Sequence, residues 1–161
     1  SKWREKVGHD AASILRTAHS MMGIPYMWGG TSPKGVDCSG FVRTVLYLHD
    51  IIIPRNASQQ AKVGKRIQPQ DDYADLQPGD LLFFGSKNQD GSPKRVVHVG
   101  ISLGGCRFIH SLGYVHTGSF NPLDADYDEY ERNRFLFAAR ILPYVNQDTQ
   151  ILTTDNISLY Q

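Results

Sequence analysis

Over residues 7–22, apolar side chains recur at three- and four-residue steps. Ala11, Ile14, Leu15, Ala18 and Met22 would share one face of an amphipathic helix. Asp10 is a candidate N-cap inside that span, and Gly23 and Pro25 stop the helix. Residues 26–37 (YMWGGTSPKGVD) carry Gly29, Gly30, Pro33 and Gly35 and predict a loop with no regular element. From about Cys38 to Asp50 the helical period returns. Phe41, Val42, Val45, Leu46 and Leu48 make a stripe broad enough for a central helix, with Asp37 at its N-cap. Residues 51–64 (IIIPRNASQQAKVG) read as a turn into a short helical piece, and 68–79 as polar and irregular.

The pattern then changes to that of strands. GDLLFFG reads as a buried strand and SKNQDGSPKR as a polar turn. RVVHVGISL and CRFIHSL read as two strands of a hairpin joined across Gly104 and Gly105. YVHTGS predicts a further strand, residues 121–133 an acidic loop, and RFLFAARIL the last strand. The tail after Pro143 has little pattern and is expected to be partly mobile. Helices first and antiparallel strands after them make an α+β fold.

The chain has 161 residues, enough for one domain with a core that needs no disulfide staples. A single domain is therefore expected over 1–161, with its core at about 7–143. A hydrophobic fraction of 40% against 20% charged residues excludes a mainly disordered chain. The net charge of +1 gives no general attraction to nucleic acid or to an anionic membrane. No apolar run approaches the roughly 20 residues of a membrane helix. The first residues, SKWREKVGHD, lack the apolar stretch of a signal peptide, which is expected of a cytosolic protein or of a mature or excised piece. Two cysteines, Cys38 and Cys106, make no disulfide framework and lack the spacing of a zinc knuckle or redox pair.

Cys38 stands after a glycine-rich loop and at the first position of a predicted helix. Free amides and the helix dipole favour an anion there, so its thiol is expected to have a lowered pKa and to be nucleophilic. Cys106, at the mouth of the hairpin, fits the commoner role of a small apolar residue. A thiol nucleophile needs a base, and the base needs a group to orient it. With a three-residue loop at Leu103–Gly105, Ser102 faces Cys106. The same register sets His98 directly opposite His110, with Cβ atoms about 4.5–5.5 Å apart. A two-residue Gly-Gly loop would slip the register by one and separate them. His9, His19 and His49 fall on or near polar helix faces, and nothing marks His116. A Cys-His-His set binds zinc in principle, but the thiol has no second ligand near it in sequence, so no metal is assigned. Tyr26 and Trp28 read either as loop packing or as cleft walls, with the Tyr26 hydroxyl within reach of a reacting carbonyl oxygen.

YMWGGTSPKGVDCSGF, PRNASQQ, LQPGDLLFF, HVGI and FIHS occur in this order from about Gly23 to Ile141. Together they resemble the NlpC-type cell-wall cysteine peptidases. The resemblance implies a papain-like α+β fold, with the nucleophile helix packed on an antiparallel sheet. It implies a catalytic triad of Cys38, His98 and His110, with Tyr26 flanking the nucleophile and Asp37 and Ser39 in the substrate floor. It implies no cofactor. The implied substrate is the peptidoglycan stem peptide, cut between γ-D-glutamate and a diamino acid, and the implied location is secreted, periplasmic or wall-associated. Members with an acidic residue in the PR-x-x-S-Q pattern hold the free amine of an N-terminal L-Ala. Asn56 stands at that position here and supplies no charge. SH3-like wall-binding domains often precede such domains, and none is legible in this chain, which is expected to be a monomer. An amidase or acyltransferase on the same scaffold, or an inactive wall-binding module, are the alternatives.

Overall fold

The computed structural model describes residues 9–32 and 35–157. Helix α1 (Ala11–Ser20) starts where Asp10 accepts the amide of Ser13, and buries Ile14 and Ala18. Residues 7 and 8 of the predicted span lie outside the described residues, and the described helix is shorter at both ends. Gly23, at φ 85°, turns the chain away after it, in a region where L side chains are strained. The 26–37 segment is not wholly irregular. β1 (Thr31–Ser32) and β2 (Gly35–Val36) pair as a two-residue antiparallel ladder, too short for any periodicity to reveal.

Helix α2 (Cys38–Tyr47) is capped by Asp37, whose carboxylate accepts the Gly40 amide at 2.6 Å. Its first turn packs tightly. A Cβ on Gly40 would come within 2.3 Å of the Gly30 carbonyl oxygen, so only glycine fits there. Short α3 (Ala57–Gln60) follows, then β3 (Lys65–Ile67), which lacks alternation and was not predicted. The strands β4 (Leu81–Lys87), β5 (Pro93–Gly104), β6 (Arg107–Leu112), β7 (Tyr114–Ser119) and β8 (Phe135–Arg140) match the predicted runs to within one to three residues at each end. They form an antiparallel six-stranded sheet in the order β3-β8-β4-β5-β6-β7. Residues 121–133, expected as loop, contain the start of α4 (Glu129–Arg134). It has acidic residues in its first turn and arginines in its last, as the helix dipole favours. Six residues are too few to show a helical period.

The sheet has a core on each face. α1 and α2 cover one face, where Ile14, Phe41 and Val45 meet Leu81, Val99, Ile101 and Ile109. On the other, Leu82, Phe84, Phe108, Phe120 and Phe135 pack together, and α4 lies against β4. Residues 144–157, where the sequence shows little pattern, are tied to this frame: Ile151 is buried and Leu152 pairs with Ile52. No helix among the described residues is long and apolar enough to cross a membrane.

Candidate active site

The hairpin register differs from the expected one. β5 and β6 pair with Gly100 opposite His110 and Ser102 opposite Phe108, and the ladder slips between Ser102 and Gly104. The turn lies at Gly105–Cys106, with Gly104 facing Arg107, which moves the pairing three residues from the predicted register, and the bulge at Leu103 takes one back, for a net slip of two. A slip of two preserves side-chain direction, so His98 and His110 share a face as diagonal rather than opposite neighbours. Gly100 makes the diagonal contact possible. A Cβ there would approach the His110 Cβ to 3.1 Å, and without one the imidazole has room to lean toward His98. The rings are hydrogen-bonded, His98 Nε2 to His110 Nδ1, at 2.8 Å.

Both imidazoles are deeply buried, at 3% and 0% exposure, among Phe84 and Phe108. Burial pushes His98 well below the usual imidazole pKa, with His110, Arg134 and His116 adding to the shift. It pushes His110 from 6.5 to about 3, again with His116 and Arg134 contributing. Both rings are therefore neutral near pH 7.

Cys38 opens α2 and is 9% exposed. The expected lowering of its pKa is not what the structure gives. Burial pushes the thiol above its usual value and the Asp37 carboxylate adds to this, while the Val99 amide and the amides at the start of α2 pull it down less strongly. Desolvation outweighs the helix dipole because the sulfur lies against the core rather than in water. Its closeness to the Val99 amide sets the sulfur beside the residue that follows His98 on β5. At neutral pH the structure therefore holds Cys38 as a thiol and His98 as a neutral imidazole.

An open cleft of about 710 Å³ lies over Cys38. All five predicted substrate residues line it: Tyr26, Trp28, Asp37, Ser39 and Asn56. Trp28 is 88% exposed, a free wall rather than a packed one. Burial, helped by the charges of Cys38 and Asp37, pushes the Tyr26 hydroxyl above its usual pKa and keeps it a donor. Asp37 does more inside the protein than a floor residue would. Gly40 N and Arg55 Nη1 bond Oδ1, and Gly29 N and Arg55 Nη2 bond Oδ2, which fixes the start of α2 against the glycine loop. Arg55 also donates to the Ser39 hydroxyl at 2.9 Å. His98 and His110 are not among the residues that line the cleft; His98 follows Val96 and Val97 on β5, and both rings are buried. β5 is bulged between the residues facing Phe84 and Gly85, which re-aims the chain next to His98.

Sequence reasoning missed Arg55 and Arg95, which line the cleft, and Glu131, which is buried beside the imidazoles. Arg55 lay within a quoted block; Glu131 gave no signal, because its helix was read as loop. His49, read as a polar-face residue, is buried and bonds Thr17 Oγ1 at 2.7 Å. Cys106 sits half-buried at the hairpin turn. Donor atoms of His98, His110 and Glu131, and of His110, His116 and Asp128, each lie within 4.8 Å of one another, a spacing open to a cation. In the first set the bond between the rings already occupies His98 Nε2 and His110 Nδ1, which favours a proton path over metal ligation.

Comparison with known proteins gives a consistent result. The profile of the NlpC/P60 family matches residues 23–135. A gamma-D-glutamyl-L-lysine dipeptidyl-peptidase of Bacillus subtilis is 42% identical over 101 residues, covering 63% of this chain and 32% of that protein. The chain thus spans about a third of the length of that relative. The crystal structure of an NlpC/P60 family protein from Bacillus cereus superposes with a TM-score of 0.69 at 32% identity, over 83% of this chain and 41% of that one. The NlpC/p60 domain of the peptidoglycan hydrolase SagA superposes with a TM-score of 0.64 at 32% identity, over 82% of this chain and 99% of that one.

Proposed function

Because the chain belongs to the NlpC/P60 family, we propose that it is a cysteine endopeptidase that cuts peptidoglycan stem peptides between γ-D-glutamate and the following diamino acid. The observation that carries this reading is a cleft-lining thiol at a helix start, beside the Val99 amide on β5, with the buried, hydrogen-bonded imidazoles of His98 on β5 and His110 on β6. The Cys38 sulfur attacks the γ-glutamyl carbonyl and passes its proton to His98. A carbon–sulfur bond forms and the C=O opens to an oxyanion. Tyr26 Oη–H and the Cys38 amide donate to that oxyanion. Collapse breaks the C–N bond, and His98 returns the proton to the leaving amine. Water, activated by His98, then hydrolyses the thioester and leaves the glutamate γ-carboxylate and a free thiol. His110 holds the His98 ring and its tautomer. A substrate of this kind places the working enzyme outside the cytoplasm, and a wall-binding module on the same protein would hold it there.

Defined stems, with lysine or diaminopimelate, as tripeptides and tetrapeptides, free and glycan-linked, followed by mass spectrometry, test the reading. Release of L-Ala-γ-D-Glu or its glycan-linked form supports it. Turnover of only a sugar–peptide amide or a lipid ester would overturn it. So would absence of turnover together with no iodoacetamide labelling of Cys38, which would indicate a binding module.

Asn56 caps α3, is exposed, and lines the cleft with Cys38. Asn56→Asp is expected to raise kcat/KM about fivefold for stems with a free N-terminal L-Ala, the effect of roughly one exposed charge pair. Stems blocked at that amine should not gain. An equal response of free and blocked stems would remove Asn56 from the amine site.

A further inference from the structure

Glu131 lies in the first turn of α4 and is 0% exposed. Arg134 donates to its Oε1 twice, from Nε at 2.9 Å and from Nη2 at 2.6 Å. Its other oxygen, Oε2, is buried and has no hydrogen-bond partner among the described residues. His110 Nε2 is in the same condition. Folded proteins rarely leave such atoms unpaired, since burying a polar atom without a partner is costly. Here they belong to neighbouring side chains: a ligating atom of Glu131, one of His110 and one of His98 all lie within 4.8 Å of one another.

The tautomers decide what these atoms can do for each other. To take a proton from the thiol, His98 must keep Nδ1 bare and carry its hydrogen on Nε2. That hydrogen is donated to His110 Nδ1 across the 2.8 Å bond. His110 must then carry its own hydrogen on Nε2. In the opposite arrangement His110 donates from Nδ1, and a bare Nε2 is left to face a carboxylate, two acceptors with nothing between them. A carboxylate at this position therefore favours the arrangement in which His98 can act as a base.

We infer that Glu131 is a positioning residue for the imidazole pair: its carboxylate accepts the Nε2–H of His110, directly or through one water, and so selects the productive tautomer of His98. The inference rests on His98 being the base of the proposed reaction. Arg134 pairs with the carboxylate at 2.6 Å and favours its charged form, opposing the burial that raises its pKa. The other groups facing the pair are His116 on β7, whose ring is 4.6 Å from that of His110, and Asp128, which caps α4 at the Glu131 amide. Since the carboxylate also stabilises the imidazolium that forms as the thiol is deprotonated, it raises the rate of the step without touching substrate.

Glu131→Gln keeps the shape and removes the charge. The expected result is a fall in kcat of about tenfold or more at unchanged KM. In short assays the acid limb of kcat should also move to lower pH, because the pair loses the charge that favoured its protonated form. Glu131→Asp keeps the charge and should leave that limb in place. Nitrogen-15 NMR of the wild-type protein reads the tautomer without any turnover, with His110 expected as the Nε2–H form. An Nδ1–H form of His110 in the wild type overturns the inference, even if Glu131→Gln does not fold. A folded Glu131→Gln with unchanged kcat and pH limb overturns it too. A wild-type protein that cleaves no γ-D-glutamyl stem counts against the proposed function instead, and the NMR result stands apart from it.

Discussion

Cys38→Ala is expected to lower turnover of γ-D-glutamyl stems by at least about 1000-fold while the protein stays folded. Both parts follow from where the residue lies. Its sulfur lines the cleft, so nothing else at that point can form the acyl intermediate. Its side chain also touches the core under α2, so the substitution removes one buried atom and should cost about 1 kcal/mol. A melting temperature within a few degrees of wild type would show the loss to be chemical. His98→Ala should match it in kcat, because without that ring the thiol keeps its proton: burial has raised the Cys38 pKa rather than lowered it. Iodoacetamide reaction makes the same point. The wild-type thiol should label slowly at pH 7 and faster as the pH rises toward its pKa. Activity of Cys38→Ala at even a tenth of wild type would end the assignment of the nucleophile.

Much of this arrangement was legible in the sequence because it rests on local rules. Asp37 before an apolar-periodic run marks a helix start, and the helix does begin at Cys38. Alternation in HVGIS and RFIHS marks strands, and the strands occur there. The pairing between them was not legible, since a bulge at Leu103 depends on how the turn closes. Parity rescued the result: a slip of two keeps both histidines on one face, whereas a slip of one would have sent His110 to the other. Electrostatics was the less legible part. The same helix start that favours an anion is packed against Val99, and the balance between dipole and desolvation is a matter of depth that no spacing encodes. Glu131 was hidden for a related reason. In sequence it is one acid in an acidic stretch, and only the folding of α4 against the sheet turns it into a buried carboxylate beside two imidazoles.

Acid should unfold the protein well before it switches off the chemistry. His98 and His110 are buried neutral, with folded-state pKa values far below the 6.5 of the unfolded chain, about 3 for His110. Between those values the unfolded state binds more protons than the native one, so stability is full above pH 6.5 and is lost as the pH falls through the window. Each proton difference is worth about 1.4 kcal/mol per pH unit. His110 alone should therefore cost about 2 kcal/mol between pH 7 and pH 5, and His98 adds to the loss in the same sense. Glu131, whose pKa burial raises, works in the opposite sense and offsets part of the loss toward the lower end. Denaturant melts at pH 7, 6 and 5 measure the slope. In His110→Leu one titrating ring is gone, and the slope should be shallower by about one proton. Equal slopes in the two proteins would mean that His110 is not buried neutral as described. The same burial disfavours protonation of His98 and so extends its capacity to act as a base toward lower pH. Brief assays at pH 5 on protein kept at pH 7 should therefore retain activity that long incubation at pH 5 destroys, which separates an acid limb due to unfolding from one due to the catalytic base.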